Sequence, residues 1–193
     1  GNLTNIALRM VFYLSGIFYN INERLQGPIR FILLRANPIE NFDTSFQNIL
    51  FYGDTGTGKT FLTNCIANEL IKRSKSVIYL TAISLFDLFS KQAFNDADDV
   101  ITSKDLEQYL FDCDLLIIDD LGTESPNSFT NSKLFYCLNE RFLREKPTII
   151  STNLSLEMIN GLYSERIYSR LVSNYTLLKL FGDDIRIKKK LNI

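Results

Sequence analysis

"NILFYGDTGTGKTFLTN", residues 48–64, passes from an apolar run, through eight flexible or polar positions, into a segment with helical spacing. Gly53, Gly56 and Gly58 crowd into it, followed directly by Lys59 and Thr60. The pattern is G-x-x-x-x-G-K-[ST], placed between a predicted strand and a predicted helix, the context that gives it meaning. The glycines let the main chain curl so that successive N–H groups point inward. That concavity and the positive end of the following helix together hold an anion. Lys59 then brings a mobile cation to the β- and γ-phosphates of a nucleotide, and the Thr60 hydroxyl suits Mg2+. We therefore expect Gly53, Asp54, Thr55, Gly56, Thr57, Gly58, Lys59, Thr60 and Phe61 to bind ATP or ADP, with Thr60 also a metal ligand.

Working outward, strands and helices alternate from residue 46. Apolar strands are read at "FQNILFYG" (46–53), "SVIYLTA" (76–82), "CDLLIIDDLG" (113–122), "PTIISTN" (147–153) and "NYTLLKLFG" (174–182). Helices are read at "GKTFLTNCIANELIKR" (58–73), "SLFDLFSKQAF" (84–94) and "NSKLFYCLNERFLREK" (131–146). An acidic loop leads into another at "NDADDVITSKDLEQYLF" (95–111), and two short ones lie in "SLEMINGLYSERIYSRLV" (155–172). Continuous apolar strands separated by helices predict an α/β fold, a parallel five-stranded sheet sandwiched by helices. Residues 1–41 read differently, as one or two helices forming an N-terminal extension to a domain over 42–193. No chemistry is assigned to that extension.

The remaining candidate residues sit at strand ends. "LLIIDD" (115–120) puts two carboxylates at the C-terminal end of a buried strand, the edge where open α/β sheets bind ligands. Asp119 suits Mg2+ held through water, and Asp120 is placed to orient or deprotonate an attacking water. Glu124 is a weaker second candidate for the base, read as a surface residue. Asn153 ends the fourth strand; it either reaches the γ-phosphate or caps the helix beginning "SLEM". Arg166 and Arg170 are four apart and share a helical face. They either recognise phosphate or lie on a surface helix satisfied by Glu165 and solvent. Arg186, in "GDDIRIKKK" (182–190), enters the same site or is neutralised by Asp183 and Asp184.

With these residues in order, roughly residues 45–190 resemble the AAA+ ATPase domain of DnaC/DnaI-type bacterial replicative helicase loaders. More distantly they resemble the IstB-type transposition ATPases. The resemblance rests on the ordered set "NILFYGDTGTGKTFLTNCIANEL", "DLLIIDDLGTE", "PTIISTNLSLE", "YSERIYSRL" and "LLKLFGDDIRIKKK". It implies a P-loop NTPase of the AAA+ type without a C-terminal helical lid. It also implies Lys59 and Thr60 as the Walker A pair, Asp119 and Asp120 as the Walker B pair, and Asn153 as sensor 1. Arg170 is then the arginine finger, Arg166 second in line for it, and Arg186 is sensor 2. Family members assemble with ATP, bind single-stranded DNA and deliver a ring helicase to an opened origin. The implied partners are therefore the replicative helicase, single-stranded DNA and other copies of the chain. The helix "SLFDLFSKQAF" resembles the initiator-type element near the central channel. This makes Thr81, Phe86 and Lys91 candidate DNA contacts, against a plainer reading with Phe86 and Phe89 in the core and Lys91 solvated. The N-terminal helicase-binding domain usual in such loaders has no match in residues 1–45.

Composition narrows the function. A net charge of −1 over 193 residues excludes a polycation that coats nucleic acid, so any such contact is local. With no histidine, His-based triads and His-ligated metals are out. Cys65, Cys113 and Cys137 are widely spaced and form no CxxC pair, as expected of reduced thiols in a cytoplasmic protein. "MVFYLSGIFY" (10–19) is too short for a membrane span, and no small-residue cleavage site follows it. Three rivals stay open: a transposition helper ATPase, a P-loop small-molecule kinase, and a nucleotide-stabilised binding module. A kinase needs an acceptor pocket and an arginine-bearing lid, which the sequence does not suggest.

Overall fold

The computed structural model describes residues 47–93 and 103–182, within which the side chains of 91–93 and 103–106 are left aside. The predicted extension over 1–41, together with Asp183, Asp184 and Arg186, lies outside the described residues, as does the Lys91 side chain. The chain runs β1 (Asn48–Tyr52), α1 (Lys59–Lys72), β2 (Val77–Thr81), α2 (Ala82–Ala93) and α3 (Ser103–Asp112). It continues with β3 (Leu115–Leu121), α4 (Ser128–Leu143), β4 (Thr148–Thr152), α5 (Leu156–Leu162), α6 (Glu165–Asn174) and β5 (Tyr175–Lys179). All strand pairs are parallel, in the order β2-β3-β4-β1-β5. The expected five-stranded parallel sheet is thus the one observed.

Strand alternation divides the core in two. Ile49, Phe51, Leu115, Ile117 and Ile149 face α1, meeting Leu62, Ile66 and Leu70. Leu50, Leu116, Ile118 and Ile150 face the opposite way, onto Leu85 and Phe89 of α2, Leu110 of α3, Leu134 and Leu138 of α4, and Ile167 and Leu171 of α6. Both faces of β1, β3 and β4 are therefore buried, which is why apolar residues stand on both sides of these strands. Phe86 is buried with Phe89 in this second layer. It is core, as the plainer reading has it, and not a DNA contact. Thr81 is exposed and bonds Ser84 at 2.9 Å.

The largest fully buried side chain is a charged one, Arg141 of α4. Its guanidinium donates to the carbonyls of Leu110 (2.7 Å), Cys113 (3.2 Å) and Pro147 (2.6 Å), and to the Thr148 hydroxyl (3.0 Å). Leu110 lies in the last turn of α3, whose final carbonyls have no partner within the helix. Arg141 thus ties the end of α3 to the start of β4, and the α3 carbonyl dipoles offset its charge. Arg141→Met, of similar length, strips the charged donor from three buried carbonyls. Pro147 keeps the Leu116 N–H at 3.2 Å and Leu110 the Cys113 thiol at 3.5 Å, while the Cys113 carbonyl loses both its guanidinium bonds. The substitution is expected to lower the urea-unfolding free energy by about 3 kcal/mol. A loss below about 1 kcal/mol would show that water replaces the guanidinium.

Burial raises the Cys65 thiol to about 11 and the Cys137 thiol to about 12, so these cysteines stay protonated near neutral pH. Among the described residues, no helix is long and apolar enough to cross a membrane.

Candidate nucleotide site

The site is built at the C-terminal ends of β1, β4 and β3, which lie side by side. The β1 strand stops at Tyr52 and the chain turns through Gly53, Gly56 and Gly58, all at positive φ. Gly53 is required twice over. Its φ is +135°, and a Cβ there would lie 2.2 Å from the Leu180 carbonyl oxygen just beyond β5. Leu180 holds that position by donating its N–H to the Tyr52 carbonyl at 2.8 Å.

Helix α1 then starts without a side-chain cap and without an acidic residue in its first turn. By contrast α4, α5 and α6 are capped by Asn127, Ser155 and Ser164. Uncapped N–H groups at a helix start, backed by the helix dipole, form an anion site. Lys59 is 5% exposed; its ammonium donates to the loop carbonyls of Gly53 and Asp54, each at 2.7 Å. The cation therefore lies inside the loop. Thr57 braces the loop by donating to the Asp54 carbonyl at 2.8 Å. Asp54 and Thr55 are exposed on its outer side, and Phe61 is half-buried in α1.

Across the edge, the Thr60 hydroxyl donates to Asp119 Oδ1 at 3.3 Å. Asp119 is 4% exposed and fully engaged: Ser151 also donates to Oδ1, and the Tyr79 hydroxyl donates to Oδ2 at 2.5 Å. Burial, then the bond to Asp119, pushes the Tyr79 phenol up, so it remains a donor. Tyr79 was not foreseen. It sits two residues before the end of β2, and only the β2–β3 pairing brings it to Asp119.

Asp120 owes its position to a bulge. Ile118 pairs with Ile150 and Leu121 with Thr152, so two residues of β3 oppose Ser151 alone. Asp120 takes φ +56°, and its N–H donates to Ser151 Oγ at 3.0 Å. The extra residue also resets the alternation, returning Leu121 to the face of Ile118. Ser151 thus bridges the two aspartates, one by donating and one by accepting.

The other candidates fall around this centre. Asn153 is exposed just past β4, between the phosphate loop and the acid pair. It does not cap the following helix; Ser155 does, accepting from the Met158 N–H. Arg166 is exposed in the first turn of α6 and makes no hydrogen bond or ion pair among the described residues. Arg170 is half-buried, donating to Asn139 Oδ1 at 2.6 Å with its guanidinium over the rings of Phe135 and Phe142. Glu124, read as a surface residue, is instead 9% exposed and bonded to the Gly122 N–H and the Tyr163 hydroxyl. Both its oxygens are used, so it is no free base.

A divalent metal fits the donors present. Thr60 and Asp119 are hard oxygen ligands beside the anion cradle. Among the described residues no group of three or more Asp, Glu, Cys or His forms a cage. Mg2+ favours such sparse protein ligation completed by phosphate and water.

Comparison with known proteins agrees with this fold. The profile of the IstB-like ATP binding protein family matches residues 37–192. The replicative helicase loader DnaC of Escherichia coli K12 is 27% identical over 190 residues, which cover 93% of this chain and 76% of that protein. A replication initiator DnaA solved with AMPPCP and single-stranded DNA matches with a TM-score of 0.66 and 25% identity. That match covers 81% of this chain and 49% of DnaA, so this chain spans about half its length. The DnaI crystal structure, 23% identical, matches with a TM-score of 0.64 over 83% of this chain and 86% of DnaI, a likeness of fold. The sheet and its helices are accordingly a P-loop NTPase fold of the AAA+ kind.

Proposed function

We propose that this chain, which belongs to the IstB-like ATP binding protein family, is a Mg-ATP-dependent ATPase of DNA replication. It acts as a helicase-loader core that binds single-stranded DNA, assembles with copies of itself and helps place the replicative helicase. The observation that carries this reading is the juxtaposition of two halves of one site. Lys59 and Thr60 stand on one side of the sheet edge and Asp119 and Asp120 on the other, joined by the Thr60–Asp119 bond of 3.3 Å. The similarity to the helicase loader DnaC supports the choice of partner.

In this reading the curled loop and the start of α1 receive the phosphates, and Lys59 turns from its own carbonyls to the β- and γ-oxygens. Thr60 and Asp119 would hold Mg2+, whose charge would offset the negative charge developing on the phosphates. Tyr79 and Ser151 fix the Asp119 carboxylate. Asp120 orients the attacking water or takes its proton, and Asn153 aligns that water or the γ-phosphate. Arg186 contacts nucleotide from the chain end. The last catalytic group comes from a neighbouring copy. We give the finger to Arg166 and leave Arg170 second. Arg170 fastens α6 to α4 through Asn139 and two rings, whereas Arg166 reaches outward. In a parallel sheet α6 runs against the strands. Its first turn therefore lies toward the site edge, with Arg166 about 6 Å nearer to it along the axis than Arg170.

ATP turnover per chain, measured against protein concentration with and without single-stranded DNA, tests the proposal. It should rise with concentration and rise again with DNA, and Asp120→Asn should lower it about a hundredfold or more. Full turnover by a strictly monomeric preparation would falsify the shared site. A second reading, a transposition helper, is favoured by the family profile itself, since IstB-like proteins give it its name. Capture of a transposase instead of a helicase by the ATP-bound chain would decide for it.

A further inference from the structure

The turn after β3 is tied to a distant helix junction. It bends at two positive-φ positions, Asp120 at +56° and Gly122 at +99°. A Cβ on Gly122 would lie 2.5 Å from Leu154 Cδ1, so the turn is packed as well as bent. Inside it, Thr123 returns its N–H and hydroxyl to the Asp120 carbonyl at 3.2 and 2.8 Å. Glu124 then folds back. One oxygen accepts the Gly122 N–H at 2.8 Å, and the other accepts the hydroxyl of Tyr163, 39 residues along the chain. Tyr163 is the C-cap of α5, and the next residue, Ser164, is the N-cap of α6. The Ser164 N–H donates to Asn131 Oδ1 on α4 at 2.9 Å, so the junction is held from a second side. Two residues beyond Ser164 is Arg166.

A buried carboxylate is costly unless both oxygens are paired. An apolar residue could fill the space but could not bond two donors on separate elements. We propose that Glu124 is a positioning residue that, through Tyr163, ties the turn carrying Asp120 to the junction presenting Arg166. This rests on the roles given above to Asp120 and Arg166. The same strut sets where one copy's Asp120 stands and where its Arg166 projects toward the next copy. One side chain thereby holds in register the half-sites that a chain offers to its two neighbours.

Three variants test it: Glu124→Ala, Tyr163→Phe and Glu124→Gln. The glutamine keeps the strut, its oxygen accepting from Gly122 and its amide donating to the Tyr163 oxygen. Glu124→Ala and Tyr163→Phe should each lower kcat roughly tenfold to a hundredfold, as misplacement of reacting groups does. KM for ATP and the affinity for fluorescent ADP should stay within about twofold, because the phosphate loop is untouched. The double variant should be no slower than the slower single one, since both cut the same link. Glu124→Gln should stay within about threefold of the native rate. Amide exchange of the nucleotide-free chain supplies the second readout: residues 121–124 and 164–167 should open together in Glu124→Ala.

A rate loss that glutamine fails to rescue, a normal rate in both cut variants, or faster exchange at 121–124 alone would overturn the proposal. Thermal midpoints show which variants fold. Tyr163→Phe, which deletes one oxygen, carries the test if Glu124→Ala does not fold. If the native chain turns over no ATP at any concentration, the functional reading above has failed. The paired rise in exchange then decides the strut by itself.

Discussion

Lys59→Ala is expected to abolish detectable nucleotide binding while leaving the chain folded. In the proposed role the ammonium would reach two phosphates through charge-assisted hydrogen bonds, each contributing about 1.5–3 kcal/mol. Losing both weakens binding by about a thousandfold, since each 1.4 kcal/mol is tenfold. In the structure Lys59 rests on the Gly53 and Asp54 carbonyls. Its removal therefore also loosens the loop at buried Gly53, while the exposed Asp54 can turn to water. Thermal unfolding with and without ADP separates the two effects. A ligand that binds only the folded state raises its stability by RT ln(1 + [L]/Kd). The native midpoint should therefore climb with ADP and the variant's should not, the two differing little without nucleotide. A variant midpoint that still rises with ADP would show that the main-chain cradle alone suffices, and the role of Lys59 would be withdrawn.

The second large effect is expected at Arg166. An arginine finger contributes about 10³-fold or more to kcat by stabilising charge on the transferring phosphoryl group. Arg166→Ala should therefore reduce turnover by about that factor while ADP affinity stays unchanged, because in the proposed role the side chain would act on a neighbour's nucleotide. Mixing provides the decisive measurement. Arg166→Ala chains retain an intact phosphate loop, and Lys59→Ala chains retain an intact finger. A mixture of these two inactive variants should recover part of the native rate. Arg170→Ala should behave differently: it loses the bond to Asn139 and its place over Phe135 and Phe142. Its first consequence is a lower unfolding free energy, by about 1–2 kcal/mol. If Arg170→Ala instead stops hydrolysis at unchanged stability, the finger belongs to Arg170.

The phosphate loop, the parallel sheet and the acid pair were legible in the residues because each rests on local chemistry. "GDTGTGKT" needs glycines where φ is positive, and those positions did adopt it. The "LLII" of "LLIIDD" is apolar because β3 is buried on both faces, and the two carboxylates follow at the C-terminal end of that run, Asp119 buried and Asp120 half-buried. Such features repeat a rule of spacing or burial within a few neighbouring residues, so they can be read without knowing what packs where.

Other features depended on contacts between residues far apart in the chain. Tyr79 meets Asp119 only because β2 pairs with β3, and Glu124 is buried only because Tyr163 comes back over it. Arg141 looks like an ordinary charge on a helix until α3 ends against it. Arg166 and Arg170 share a helical face by spacing, yet the rings of α4 engage one and leave the other exposed. The bulge opposite Ser151, which turns Asp120, is a property of two strands. Sequence by itself determined the sheet and the residue types along its edge, through side-chain character and local backbone freedom. Tertiary packing alone decided which polar groups are held and which stay exposed, because a hydrogen bond between distant segments exists only once the core has brought them together.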